Sequence, residues 1–293
     1  SEWVLLVRGK VNKRPEKMIT QGTLNGDIEL EVLDIHVLNE AETPPFDILT
    51  EGTEVNEETR LKYRYLDIRR DRLQKNLRMR HEVIQYARNY LSERGFIEVE
   101  TPLLTKSTPE GARDYVVPSR LEPGKFYALP QSPQQYKQLL MAGGIERYFQ
   151  IAKCLRDEDT RGDRQPEFTQ LDLEMSFVNE EDVMGLTESL LISIAETFFP
   201  DKKIQQKPFP RITHKEAMEK YENDRPDLRE NKEDPNELAF VWVVNFPFFE
   251  KTKEGGWTFT HNPFSAPKKE YEENLMKGES IDSIIATQYD ITL

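Results

Sequence analysis

Residues 154–174 read Cys-Leu-Arg-Asp-Glu-Asp-Thr-Arg-Gly-Asp-Arg-Gln-Pro-Glu-Phe-Thr-Gln-Leu-Asp-Leu-Glu, and the alternation in this stretch decides the fold. Side chains two apart share a face of a strand. Phe168, Gln170, Asp172 and Glu174 therefore point one way, with Leu171, Leu173, Met175 and Phe177 packing behind. Upstream, Arg156 and Glu158 share a face of a strand that runs Tyr148–Glu158. A polar loop containing Gly162 joins it to the second strand, Glu167–Val178, as an antiparallel hairpin. A sheet face that gathers arginine, carboxylates, an amide and an aromatic ring is costly to cover without a ligand. Arginine offers a planar fork for phosphate oxygens, and the ring offers a platform for a base. A surface hairpin laced with salt bridges would present the same residues, so the pattern alone leaves that alternative open.

Working outward, residues 70–94 carry Leu73, Leu77, Ile84, Ala87 and Leu91 at three- and four-residue steps, an amphipathic helix ended by Gly95. His81 lies on the stripe and is expected to be packed or half-exposed. A strand follows from Phe96 to Thr101, stopped by Pro102, and a second helix covers about 180–198. Near the N-terminus, 3–11 and 28–38 are rich in β-branched residues with Gly26-Asp27 as a turn before the second, and 39–58 reads as a linker. Two strands make a fragment of a domain, since an isolated hairpin is marginal in water. Helices mixed with a central antiparallel hairpin predict an α+β fold.

Bulk properties agree. The 293 residues allow one large domain and a smaller one. A hydrophobic content of 37% fits a packed chain, and no run approaches the ~18 apolar residues of a membrane span. The single cysteine, Cys154, excludes an internal disulfide framework and a cysteine-rich zinc site, and the expected setting is cytoplasmic. A net charge of −13 argues against binding nucleic acid with the whole surface. Between Arg60 and Arg80, however, basic residues cluster: Arg64, Arg69, Arg70 and Arg72 lie among them. The cluster could meet phosphates, or it could be a helix start neutralised by its own ion pairs.

The segment from Leu155 to Glu174 closely resembles motif 2 of the bacterial aspartyl-tRNA synthetases, a class II family. The helix to Gly95 and the strand to Pro102 resemble motif 1, the class II dimer interface. Thr108-Pro-Glu-Gly-Ala-Arg-Asp-Tyr and Tyr127-Ala-Leu-Pro-Gln-Ser-Pro-Gln-Gln-Tyr-Lys-Gln are further blocks in the family's order. The resemblance implies a class II antiparallel sheet flanked by helices, preceded by the remnant of an OB-fold barrel. Residues 1–38 would end the anticodon-binding OB-fold, 39–69 would be a hinge, and 70–293 the catalytic domain. It further implies activation of L-aspartate with ATP and Mg2+, transfer to tRNA-Asp, and a homodimer through motif 1, with charging of tRNA-Asn left open.

Roles follow residue by residue from the same resemblance. Arg156 would hold the ATP α-phosphate and the aspartate carboxylate; Glu158 and Gln165 would contact the nucleotide, and Phe168 would stack on adenine. Glu110, Gln134 and Asp172 would read the amino acid, with Lys137 pairing its side-chain carboxylate and His261 nearby. Gln134 and Lys137 are three apart, on one face of a helix start. Arg161 and Arg164 would approach the tRNA acceptor end, and Cys154 would be structural. Asn262 stands where many members carry a second histidine, so no role passes to it. No metal ligand is identified. The family's extra domain is missing near 229–236, and motif 3 is absent before Leu293, so the chain reads as incomplete. The rival readings are a non-catalytic paralogue and an asparagine-synthetase-like enzyme that activates aspartate without tRNA.

Overall fold

The computed structural model describes residues 2–108, 110–160, 162, 164–252, 255–260 and 265–293. The chain divides into residues 1–80 and 81–293.

In the first unit, β1 (Val4–Lys13) pairs antiparallel with β2 (Ile28–Asn39) over their whole length. A Cβ at Gly9 would lie 2.5 Å from the Glu31 carbonyl oxygen, so the close pairing there requires glycine. Both faces of this hairpin expose apolar residues, Leu5, Leu6, Val32 and Leu33 among them. After residues 40–56, which hold no helix or strand, come α1 (Glu57–Lys62) and α2 (Arg64–Asp67). The Asn56 side chain caps α1 by accepting from the Glu58 amide at 2.8 Å.

Asp67 settles much of the question of the basic cluster. It is fully buried and accepts from Arg60 Nε at 3.1 Å, Arg64 Nη1 at 2.9 Å and Arg70 Nε at 2.8 Å. Arg70 also donates to the Thr50 carbonyl at 2.7 Å and lies 5.1 Å over the Phe46 ring. Arg69 pairs with Glu2 and Arg72 with Glu51. For these five arginines the internal ion-pair reading holds. Gly52, at φ +80°, packs on the Arg70 guanidinium so closely that a Cβ would meet Nε at 2.6 Å.

The long helix α3 spans Asp71–Ser92. The amide of Phe96 returns to the Leu91 carbonyl at 3.1 Å, and Gly95 turns the chain at φ +80°. Of the expected stripe, Leu73, Ala87 and Leu91 are buried, but Leu77 is 51% exposed and His81 is exposed as well. The apolar period is carried instead by Tyr90, whose ring packs with Leu91 and Phe96. The following strand is shorter than expected: β3 is only Ile97–Glu98, and beyond it the Thr101 hydroxyl donates to Gln150 Oε1 at 3.0 Å.

Next come the hairpin of β4 (Val116–Pro118) and β5 (Phe126–Ala128), then α4 (Gln134–Ala142). β6 (Arg147–Leu155) and β7 (Glu167–Met175) form a sheet with β3 in the order β3-β6-β7, parallel then antiparallel. Helix α5 (Glu180–Phe198) starts in a reciprocal cap between Asn179 and Asp182. Beyond it, β8 (Lys203–Ile204) precedes β9 (Arg211–Thr213) and α6 (His214–Tyr221), and β10 (Glu237–Leu238) pairs with β8. β11 (Val241–Val244) lies between β9 and the last strand. The hairpin β12 (Phe249–Lys251) and β13 (Trp257–Phe259), then α7 (Glu272–Lys277), lead to that strand, β14 (Tyr289–Thr292).

Mixed helices with parallel and antiparallel pairing make this an α+β unit. Its core joins Leu91, Phe96, Phe149 and Leu190, with Leu173 and Met175 of β7 packed against them. Each large apolar side chain withdrawn from water contributes about 1.5–3 kcal/mol. Phe177 does not join that layer: β7 has ended, and the residue turns at φ +59° with its side chain 95% exposed. No described helix is long and apolar enough to cross a membrane.

Candidate functional site

The β6–β7 register sets Gln150 opposite Asp172, Ala152 opposite Gln170 and Cys154 opposite Phe168. Phe168, Gln170, Asp172 and Glu174 thus share one face, and Tyr148, Gln150, Ala152 and Cys154 complete it. The first strand ends sooner than its sequence suggests. The Arg156 amide still bonds the Pro166 carbonyl at 2.8 Å, but Glu158 then donates back to the Arg156 carbonyl at 3.0 Å, and the alternation stops. Arg156 and Glu158 nevertheless line one pocket with Arg164, Gln165 and Phe168, because the chain turns around it. The pocket holds about 350 Å³, at the lower end of ligand sites. The Arg156 guanidinium stands 5.1 Å over the Phe168 ring.

Further along the same face of β7, Lys137 reaches in from α4. Its side chain is buried, with Nζ 2.8 Å from Asp172 Oδ1 and 3.3 Å from Glu174 Oε2. A solvated lysine at a helix start is thereby excluded. The apolar side of α4 does not explain the burial, since Leu139 is exposed; the two carboxylates do. Asp172 Oδ2 is buried and has no partner among the described residues. Tyr148, on the same face, donates to Gln150 Oε1 at 2.8 Å, and Thr101 donates to the same oxygen at 3.0 Å. Burial, then the charge of Asp172, pushes the Tyr148 phenol well above its ordinary pKa.

Glu110 approaches from a third element. Thr108 Oγ1 donates to its Oε1 at 2.9 Å, and Ser132 Oγ donates to its Oε2. Gln134 opens α4 partly buried, its amide bonding Ser132 Oγ at 3.2 Å, while Lys137 on the same helix takes carboxylates of β7 as its partners. Sequence reasoning passed over Gln131, which is 1% exposed and bonds Ala112 through both ends of its amide. A lone glutamine in a loop has no periodicity to reveal it; its only signal was membership of the block from Tyr127 to Gln138. Arg161 and His261 lie outside the described residues. Cys154 is buried on the site face, its thiol pushed up to about 11 by burial, against the pull of Arg156. It packs, consistent with a structural part.

The structure thus brings together one arginine-and-aromatic pocket and one buried cation held by acids, on a single sheet face. Comparison with known proteins follows this geometry. The family of tRNA synthetases class II (D, K and N) matches residues 56–293. An aspartate–tRNA(Asp/Asn) ligase of Rubrobacter xylanophilus is 58% identical over 255 residues, 87% of this chain and 42% of that protein. One bearing the same name from Syntrophomonas wolfei is 57% identical over 257 residues, 87% of this chain and 43% of that protein. The chain therefore spans less than half the length of these relatives. Among solved structures, asparaginyl-tRNA synthetase from Pyrococcus horikoshii, complexed with asparaginyl-adenylate, superposes with a TM-score of 0.64 at 18% identity. That superposition covers 98% of this chain and 76% of the archaeal one, a likeness of fold. With the family matched over most of its length, the chain belongs to the class II tRNA synthetases of the D, K and N group.

Proposed function

We propose that this chain serves an aspartate–tRNA ligase, which activates L-aspartate with ATP and transfers it to the 3′ end of tRNA-Asp. The observation that carries the reading is the buried Lys137 ammonium, held between Asp172 and Glu174 on the sheet face that also bears the Arg156–Phe168 pocket. A buried cation gives an amino-acid side-chain carboxylate a partner that a neutral amide lacks. The orphaned Asp172 Oδ2, with Glu110 and Gln134 near the entrance of α4, suits the α-ammonium.

In this reading the aspartate carboxylate attacks the α-phosphorus of ATP and pyrophosphate leaves. Arg156 neutralises charge that builds on the phosphoryl oxygens, Phe168 and Gln165 hold the base, and Glu158 contacts the nucleotide. A tRNA hydroxyl then attacks the adenylate carbonyl and AMP departs, so the protein supplies no nucleophile. Arg164, and Arg161 and His261 by resemblance, would face the acceptor end and the amino acid. Mg2+ would enter with the ATP phosphates.

The remaining architecture belongs to the same proposal. Residues 1–38 would close an anticodon-binding OB barrel, whose other strands would cover the exposed leucines and valines of β1 and β2. Residues 39–69 would form the hinge and 70–293 the catalytic domain. A homodimer through residues 70–102 would cover Ile97, which is exposed on the sheet's outer strand, and burying at least ~1,200 Å² would be needed for a stable pair. Light scattering of the full-length protein should give twice the chain mass.

The names of the Rubrobacter and Syntrophomonas relatives favour charging of tRNA-Asn as well as tRNA-Asp. Aminoacylation with both tRNAs separates the readings. Aspartate esterified to tRNA-Asp supports the ligase, and esterified to both it supports the broader enzyme. Adenylate formation with no charged tRNA would indicate a tRNA-independent aspartate-activating enzyme. Absence of both activities would indicate a binding paralogue.

A further inference from the structure

Gln150 is 7% exposed, and the two ends of its amide differ. Its Oε1 accepts from the Tyr148 hydroxyl at 2.8 Å and from the Thr101 hydroxyl at 3.0 Å. Its Nε2 has no partner among the described residues. A buried donor without a partner is costly, and most are satisfied. This one is also held in place. The amide is planar, so fixing Oε1 fixes Nε2 on its other side. Thr101 follows β3, which pairs with β6 on the flank away from β7, and Tyr148 lies two residues back on β6 itself. The Tyr148 hydroxyl stands near two acceptors, Gln150 and Asp172, and hydrogen-bond geometry is met at Gln150. Burial, then the Asp172 charge, keeps that phenol protonated, so it remains a donor.

The surroundings say what would satisfy Nε2. Across the ladder Gln150 faces Asp172, whose Oδ1 lies 2.8 Å from the Lys137 ammonium. Asp172 Oδ2 has no partner either, so an unpaired donor and an unpaired acceptor stand on facing residues without bonding each other. A ligand atom suited to Nε2 is an acceptor that also tolerates a cation nearby, and a carboxylate oxygen is both. Along this face the register gives three levels: Cys154 with Phe168 beside the Arg156 pocket, Ala152 with Gln170, and Gln150 with Asp172. Four residues of β7, about 13 Å, separate the first level from the third. On the proposed function the α-carboxylate lies toward the first level, where phosphorus is attacked. The third level, with Lys137, then takes the side-chain end.

We propose that Gln150 is a specificity residue that touches the amino acid: its Nε2 donates to the side-chain carboxylate of aspartate alongside the Lys137 ammonium. The proposal rests on reading the site as one for aspartate activation. A carboxylate offers an acceptor to each of the two donors. Asparagine offers its oxygen to one and sets its own NH2 against the other, donor to donor. The two donors together therefore filter for a carboxylate, where Lys137 alone would read one oxygen.

The test uses the full-length protein and ATP–pyrophosphate exchange with aspartate and with asparagine, at about pH 8.5 so that an introduced carboxyl beside Lys137 is ionised. Gln150→Glu is the informative change. It keeps an oxygen to accept from Tyr148 and Thr101 and replaces the donor with an acceptor. It is expected to raise the aspartate KM about tenfold or more, as loss of a hydrogen bond to a charged group would. The aspartate-to-asparagine ratio of kcat/KM should narrow by a similar factor, while the ATP KM stays within about threefold of wild type. Gln150→Met removes donor and acceptor together and should raise the aspartate KM about tenfold as well. In a Lys137→Met background Gln150→Glu should add little, because the carboxylate is no longer held there. Aspartate KM values within about threefold of wild type in both folded variants would overturn the proposal. So would an unchanged aspartate-to-asparagine ratio in Gln150→Glu, or full additivity with Lys137→Met. Failure of both Gln150 variants to fold would also overturn it, assigning the residue to the core alone. If the wild type supports no aspartate-dependent exchange, the functional reading fails and the proposal falls with it. Wild-type exchange with indifferent Gln150 variants removes the proposal alone.

Discussion

Lys137 Nζ lies 2.8 Å from Asp172 Oδ1, and each side chain keeps only 11% of its surface in contact with solvent. Withdrawing two charges from water costs several kcal/mol per ion, offset only by close geometry and further bonds. The pair has the close geometry but not the full complement of bonds, because Asp172 Oδ2 is orphaned. A fold needing only a filled core would be served as well by apolar residues. On the proposed function, a bound zwitterion would complete both partners, its carboxylate at Lys137 and its ammonium at Asp172 Oδ2.

The Arg156–Phe168 pocket, proposed to take ATP, should separate binding from chemistry. Phe168→Ala removes a stacking platform worth about 1–3 kcal/mol and should raise the ATP KM roughly tenfold or more while sparing the aspartate KM. Arg156→Ala should instead lower kcat by about 10²–10³, as loss of one preorganised charge contact does. Steady-state exchange kinetics distinguish the two, and identical profiles for both variants would refute the division of labour.

Asp67→Asn should loosen the N-terminal unit. The substitution strands the buried guanidinium of Arg70, and breaking such a pair costs about 3 kcal/mol. Burial raises the Asp67 pKa, but hydrogen bonds from Arg60 and Arg70 outweigh it and leave the carboxyl below its ordinary value. A depressed folded pKa means that the stabilisation is present above the unfolded carboxylate range and is lost as pH falls through the folded value. Urea unfolding should thus show a gap between wild type and variant at neutral pH that closes in acid. A gap independent of pH would contradict the ionic account.

The Cys154 thiol should be inert in the folded protein. With its pKa near 11, the thiolate is scarce at pH 8, and the side chain is fully buried. Maleimide labelling should be at least ~100-fold slower in native protein than in denaturing urea. Native labelling at the rate of a free thiol would show that the hairpin opens readily.

Period-two alternation told correctly which face of β7 bears Phe168, Gln170, Asp172 and Glu174, because a half-buried strand writes its burial into its sequence. It failed at Leu171, expected to pack behind but 39% exposed within β7, and again where the strand stopped. Glu158 and Phe177 continue the pattern in sequence but sit past the ends of β6 and β7, where turns set direction. Helix α5 formed over the expected span of about 180–198, whereas Leu77 matched the α3 period and is exposed. Burial depends on what packs opposite, which one sequence does not state. Asp67 and Gln131 were invisible for the same reason: each is a polar residue buried by partners distant in the chain, among them Thr50 through Arg70 and Ala112. The resemblance supplied Lys137, Arg156 and Glu110 as site residues, and the structure places them around one sheet face.

The account stands most directly on Lys137 as the residue that selects aspartate. Asparagine matches aspartate closely in size, so discrimination must come from charge. The decisive measurement is ATP–pyrophosphate exchange by full-length wild type and Lys137→Met, with aspartate and with asparagine. Losing a hydrogen bond to a charged group costs about 1.5–3 kcal/mol, so wild type should prefer aspartate by roughly 10–10² in kcat/KM. Lys137→Met should lose most of the aspartate activity, with its ATP KM within about threefold of wild type. Aspartate kinetics in Lys137→Met within about threefold of wild type would contradict the assignment.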